Sequence, residues 1–314
     1  MLKMKSKTIN GLYISKITLG TAQLGMDYGI SNKSGKPNSD SIKDVLNYAI
    51  KNKITTFDTA PAYGNSEKIL GDFFKNRTEI TKTIITKIPK IKLDSTNPSL
   101  IQVYDKIKKE LMNSKKSLQT NIDVCLLHNA SDMNAYNGFI TDSLIKLKKE
   151  GIVKSIGVST YTPMETKEFI DSNNFDSIQI PFNIFDTRLL KNGMLNELNE
   201  LNKIVFARSI FLQGLFFIKD KDIPENLQIV KKLVHELHNI SLEHDVSVLN
   251  LAFSFVQELK EITSIVIGVD NVKQLENNIN LLNFKPLTDE IKKKILDKFN
   301  NIPENVINPS MWKD

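Results

Sequence analysis

Cysteine is almost missing from this 314-residue chain. The one that occurs, Cys125, excludes an internal disulfide framework and a multi-cysteine zinc site, and it fits a reducing compartment. Glycine (13) and proline (10) are too scarce for a fibrous or linker-rich protein. No apolar run approaches the roughly 18 residues needed to cross a bilayer. The lysine-bearing start MLKMKSKTING lacks the apolar stretch of a secretory signal. A cytoplasmic protein with no membrane partner is the expectation. Excess charge is also small: 42 basic against 36 acidic residues leaves +6. The lysines are mixed with acids in KIKKE, KLKKE, VKKLV and IKKKI, as on solvated helix faces, and no nucleic-acid motif accompanies them. What is present is ordinary globular material, 40% hydrophobic and 25% charged.

Eight short apolar runs stand out, at 16–20, 54–58, 83–87, 121–128, 154–159, 176–180, 203–207 and 264–268. They are mostly continuous rather than alternating, the pattern of strands buried on both faces of a parallel sheet. Helical spacing fills the gaps at 39–52, 65–76, 98–112, 137–150, 162–173, 187–201, 227–244 and 271–282, with one more stretch at 247–258. Strands alternating with helices over about 300 residues predict a (β/α)8 TIM barrel. The runner-up, an open doubly wound sheet, would carry a glycine-rich phosphate turn, and no G-x-G-x-x-G occurs. No linker or composition break divides the chain, so 1–314 reads as one domain.

In such a barrel chemistry gathers where the strands end. The second run closes on Asp58, with Tyr63 five residues on; the third closes on Lys87 and the fourth on His128. Each alone is more simply a cap, an anchor or a solvated end. Their joint arrival at one rim suits proton transfer at a carbonyl. A tyrosine of pKa about 10 gives up its proton poorly at neutral pH, and a neighbouring ammonium would lower that value. A carboxylate can hold the lysine, and a histidine can orient the substrate oxygen. Cys125 lies inside an apolar strand and offers no nucleophile, and no metal ligands cluster.

The motifs LGTAQLG (19–25), FDTAPAYGNSEKILG (57–71), IITKIP (84–89), DVCLLHN (123–129), IGVST (156–160), IQIPFN (178–183), FARSIFLQGL (206–215) and IVIGVDNVKQLENNI (265–279) occur in order. On them the chain resembles the aldo-keto reductases. The resemblance implies NADP-dependent reduction of an aldehyde or ketone by direct hydride transfer without a metal. It makes Tyr63 the acid, tuned by Lys87 and Asp58, with His128 orienting the carbonyl. It also implies that Gly20, Thr21 and Asp58 line the cofactor site and that Ser159, Thr160 and Gln179 hold the nicotinamide carboxamide. Arg208 stands where an aromatic residue often stacks on the ring. Ser209, Leu212 and Gly214 would follow the pyrophosphate.

Gly268, Gln274, Asn277 and Asn278 match the adenosine-phosphate segment. There Gln274 replaces a frequent arginine and Gly268 a lysine, so the strong phosphate clamp is absent. Asp270 could repel a phosphate and Lys273 could partly compensate, which keeps NAD open beside NADP. Segments TAQLGMDYGI and RSIFLQGL resemble bacterial members encoded with surface-polysaccharide pathways, which implies a keto or aldehyde sugar intermediate. Residues 210–226 are long enough for a lid carrying Phe211, Phe216 and Phe217. Trp312 either reaches the substrate mouth or belongs to a docked or disordered tail. The partner expected is a small carbonyl compound, with a monomer or weak homo-oligomer as the state. Competing readings are a non-catalytic cofactor-binding regulatory subunit, a Schiff-base enzyme using Lys87, and, least supported, an RNA-associated protein.

Overall fold

The computed structural model describes residues 4–30, 32, 35–95, 97–223 and 228–312. Among them, strands β3 (Ile17–Gly20), β4 (Thr56–Asp58), β5 (Thr83–Ile88), β6 (Ile122–Leu127), β7 (Val153–Ser159), β8 (Ser177–Pro181), β9 (Ile204–Arg208) and β10 (Ser264–Gly268) run parallel in sequence order. Strand β10 pairs back onto β3 and closes the barrel. The (β/α)8 architecture read from the sequence is the one observed. β5 and β6 are buried at every position, which is why their sequence runs are mostly apolar; the polar side chains among them are paired, Thr86 to Glu67, Lys87 to Asp58 and Asp123 to the backbone N of Ile84.

Parallel neighbours need a crossover, and helices supply it. They are α1 (Ala22–Gly25), α2 (Ser39–Lys51), α3 (Ser66–Phe74), α4 (Leu100–Leu118), α5 (Phe139–Lys149), α6 (Pro163–Ser172), α7 (Arg188–Lys191), α8 (Met194–Glu200), α9 (Ile229–Glu243), α10 (Val248–Gln257), α11 (Val272–Asn280), α12 (Asp289–Lys298) and α13 (Glu304–Ile307). Their starts carry local signals. Ser99 and Gln102 form a capping box for α4, and Thr162 and Glu165 form one for α6 ahead of Pro163. The apolar stripe Ile42, Val45, Leu46 and Ala49 turns α2 onto the barrel.

Four features depart from the pattern reading. The expected helix 187–201 is two, α7 and α8, parted where Gly193 takes φ 78°. Helix α4 continues six residues past 112 to Leu118. Helix α12 has no counterpart in the pattern read from the sequence. A hairpin, β1 (Ser6–Ile9) and β2 (Leu12–Ser15), precedes the barrel and turns through Asn10-Gly11, both at positive φ.

That hairpin closes the barrel at the start of its strands. Ser15 Oγ accepts from the backbone N of Thr55 at 3.1 Å, and Thr83 Oγ1 donates to Tyr13 O at 2.9 Å. Leu12 and Ile14 join Ile85, Val124, Leu126, Ile204 and Phe206 in a cluster separate from the main core, which lies between barrel and helices. At the other terminus Trp312 is buried and donates Nε1–H to Asn305 O, so the tail docks rather than reaching the substrate mouth. Among the described residues, no helix is long and apolar enough to cross a membrane.

Candidate active site

Sheet register brings the site together. Gly20 pairs with Asp58 on one side and with Gly268 on the other, so the last residues of β10, β3 and β4 stand at one level. Asp58 is 3% exposed. Its Oδ1 accepts from Lys87 Nζ at 2.7 Å and from Gln179 Nε2 at 3.0 Å. Lys87 is 1% exposed, and its Nζ also donates to Thr59 O at 3.1 Å. Nζ sits 4.8 Å from the centroid of the Tyr63 ring. The His128 ring meets Tyr63 edge-on, with centroids 5.9 Å apart. Asp58, Tyr63, Lys87 and His128 are therefore one contiguous cluster.

Burial governs its protonation. Burial depresses the His128 imidazole to about 4, and the Lys87 charge adds to that, so the ring is neutral. Burial raises the Tyr63 phenol above its ordinary value, and the opposing pull of Lys87 does not cancel it. Against the expectation that Lys87 lowers that pKa, desolvation is the larger effect. Burial also disfavours the Lys87 ammonium, yet Asp58 and Tyr63 outweigh it and hold its pKa above normal. A protonated phenol, a fixed ammonium and a neutral imidazole make a donor set suited to an oxygen that gains negative charge. Cys125 is fully buried, its thiol pKa pushed far up by burial, and it is inert.

From Tyr63 a groove of about 480 Å³ runs across the strand ends. Gly20, Thr21, Asp58, Gln179, Arg208, Ser209 and Gly214 line it on the way to Gly268, Gln274, Asn277 and Asn278. Three expected cofactor residues do not line it. Ser159 and Thr160 are buried, with the Thr160 hydroxyl 3.2 Å from that of Thr166, and Leu212 is packed in the core. Arg208 donates Nη2–H to Thr160 O and lies 4.2 Å over the Tyr161 ring. In the expected lid, Phe211 and Phe217 line the groove, whereas Phe216 is buried against Phe185; residues 224–226 lie outside the described residues.

Pattern reading missed Tyr28 and Gln23, which also line the groove. Tyr28 accepts from Gln213 Nε2 at 3.2 Å, joining the loop after β3 to the loop after β9. Gln23 lies over Gly268, where a Cβ would meet its Oε1 at 1.7 Å. Lys273, expected to compensate partly at the far end, is exposed and already has a partner. It pairs with Glu276 at 2.9 Å, and the Gln274 amide bonds Asp270 instead of facing the groove freely.

The sequence model of the Aldo/keto reductase family matches residues 16–300. The chain is similar to YqkF, an oxidoreductase of Bacillus subtilis, at 27% identity over 92% of this chain and 94% of that one. It is similar to D-arabinose 1-dehydrogenase of Saccharomyces cerevisiae at 30% identity, over 47% of this chain and 43% of that one. In structure it resembles the holo form of aldo-keto reductase AKR11C1 from Bacillus halodurans, with a TM-score of 0.76 and 22% identity over 94% of this chain and 96% of that one. The glycerol dehydrogenase AKR11B4 of Gluconobacter oxydans shares the fold at a TM-score of 0.70 and 22% identity, over 94% of each chain. Sequence match, closed barrel and the polar cluster at its strand ends agree: this chain belongs to the aldo/keto reductase family and is an oxidoreductase of carbonyl compounds that works with a nicotinamide cofactor.

Proposed function

We propose that the chain reduces an aldehyde or ketone, with the dinucleotide lying along the groove and its reacting ring beside Tyr63. The observation that carries this is the buried Asp58–Lys87 pair set against Tyr63 and His128 at the groove's inner end. The residues present fit the cofactor. Gln179 offers an amide, Ser209 and Gly214 border a path with positive φ, and Asn277 and Asn278 offer amides at the far end. A bound reduced nicotinamide supplies the hydride that reaches the carbonyl carbon. Tyr63 gives its proton to the carbonyl oxygen as charge develops there. Lys87 steadies the phenolate left behind, and Asp58, fixed by Gln179, holds Lys87 in place. The neutral His128 donates a hydrogen bond to the same oxygen and sets its direction.

The resemblance implies NADP, with NAD as the alternative. For the substrate we propose a keto or aldehyde sugar intermediate; the similarity to a protein named for D-arabinose supports a polyhydroxy compound. In this reading the enzyme works in the cytoplasm as one domain, as a monomer or weak homo-oligomer. Tyr63→Phe tests the acid. Turnover should fall by at least ~10²-fold, the scale of general acid catalysis, while cofactor affinity by calorimetry stays within about threefold. A variant that kept more than about a tenth of the wild-type kcat would remove Tyr63 from that role.

A further inference from the structure

Asp270 follows β10 and lines the groove at the end opposite Tyr63. Among the described residues, two amides hold its carboxylate. Gln274 Nε2 donates to Oδ2 at 3.2 Å, and Asn32 Nδ2 donates to Oδ1 at 3.4 Å. The Asp270 backbone N in turn donates to Gln274 Oε1 at 2.8 Å, so side chain and loop brace each other. No ion pair joins Asp270 to a described residue. Lys273 is turned to Glu276, and Lys36 ends on Asn65 Oδ1 at 2.6 Å. Arg208, the cation among the described lining residues, is engaged with Thr160 and Tyr161.

We propose that Asp270 makes this groove select NAD(H) against NADP(H), accepting a hydrogen bond from the adenosine ribose and repelling a 2′-phosphate. This rests on the orientation proposed above, in which the reacting ring takes the Tyr63 end and the adenosine the other. A carboxylate is an acceptor only, which suits a ribose hydroxyl. Against a phosphate it is a like charge in a partly enclosed setting. The N-terminus of α11, which would otherwise draw an anion, is already capped by Asn271 and preceded by this carboxylate. The inference runs against the NADP that the resemblance implies.

Titration calorimetry of the full chain with NADH and NADPH, at low and raised salt, tests it. Wild type should bind NADH tighter by roughly tenfold or more. Asp270→Asn and Asp270→Ser should each raise NADPH affinity about tenfold while NADH affinity changes far less. Raised salt should narrow the wild-type ratio, because it screens the repulsion, and leave the variants' ratios nearly flat. Tighter NADPH binding by wild type, or the same ratio in both variants, overturns the role of Asp270. Failure of wild type to bind either dinucleotide overturns the groove orientation itself, and this inference with it.

Discussion

Burial, more than the nearby ammonium, sets the protonation of Tyr63 and His128. Burial holds the Tyr63 phenol above its ordinary value, so it keeps its proton at neutral pH, the form a proton donor needs. His128 carries the most testable consequence. Its folded pKa, about 4, lies below the ordinary 6.5. Between those values the unfolded chain binds a proton that the folded chain refuses. The contribution of His128 to stability is therefore complete above pH 6.5 and is lost as pH falls toward 4, by about 3 kcal/mol at most before solvent screening trims it. His128→Asn should flatten that decline in urea-midpoint measurements between about pH 4 and 7. An unchanged slope would assign the acid sensitivity to other groups.

At the scale of elements, Tyr63 is positioned by a contact of backbone with backbone. Helix α1 ends at Gly25, whose added Cβ would sit 1.9 Å from Tyr63 O. Gly64, at φ 61°, approaches Gly25 O from the other loop, and Asn65 N donates to Gly25 O. Side chains at either glycine would push these loops apart. Gly25→Ala should cost stability on the order of 1–3 kcal/mol, as overpacking does, and lower kcat more than cofactor affinity, because it moves the phenol. Steady-state kinetics beside calorimetry would show the split; equal losses in both would point to general unfolding. The eight barrel strands were legible because burial on both faces writes itself as mostly continuous apolar runs. Asp58, Lys87 and His128 were legible because each closes such a run. The role of Asp270 was only half legible. A linear pattern shows that it follows β10, but not that Gln274 folds back onto it or that Lys273 turns away. Tyr28 was hidden for the same reason, since it enters the groove from within a loop. The hairpin had its Asn-Gly signal, but its strands are only four residues each, and the first exposes Lys7 and Thr8, so they resembled none of the barrel runs. Helix α12 was masked by its lysines, its buried contribution resting on Ile291 and Ile295.

The whole molecule is sealed at one end and open at the other. Leu12 and Ile14 fill the barrel at the strand starts, far along the strands from the groove. Ile14→Ala should thus cost about 2–5 kcal/mol in a denaturant titration, with KM and kcat at moderate temperature little changed. A fall in kcat out of proportion to stability would show that the plug also tunes the open end. The same sealing has a practical side. The chain's one thiol, Cys125, sits inside β6 with no exposed surface. Maleimide or iodoacetamide chemistry on the native protein therefore meets no competing thiol. A cysteine introduced at Phe217, on the rim of the groove, would be the sole attachment point for a dye or spin label, and the motion of that rim could be watched without first stripping the chain of native thiols.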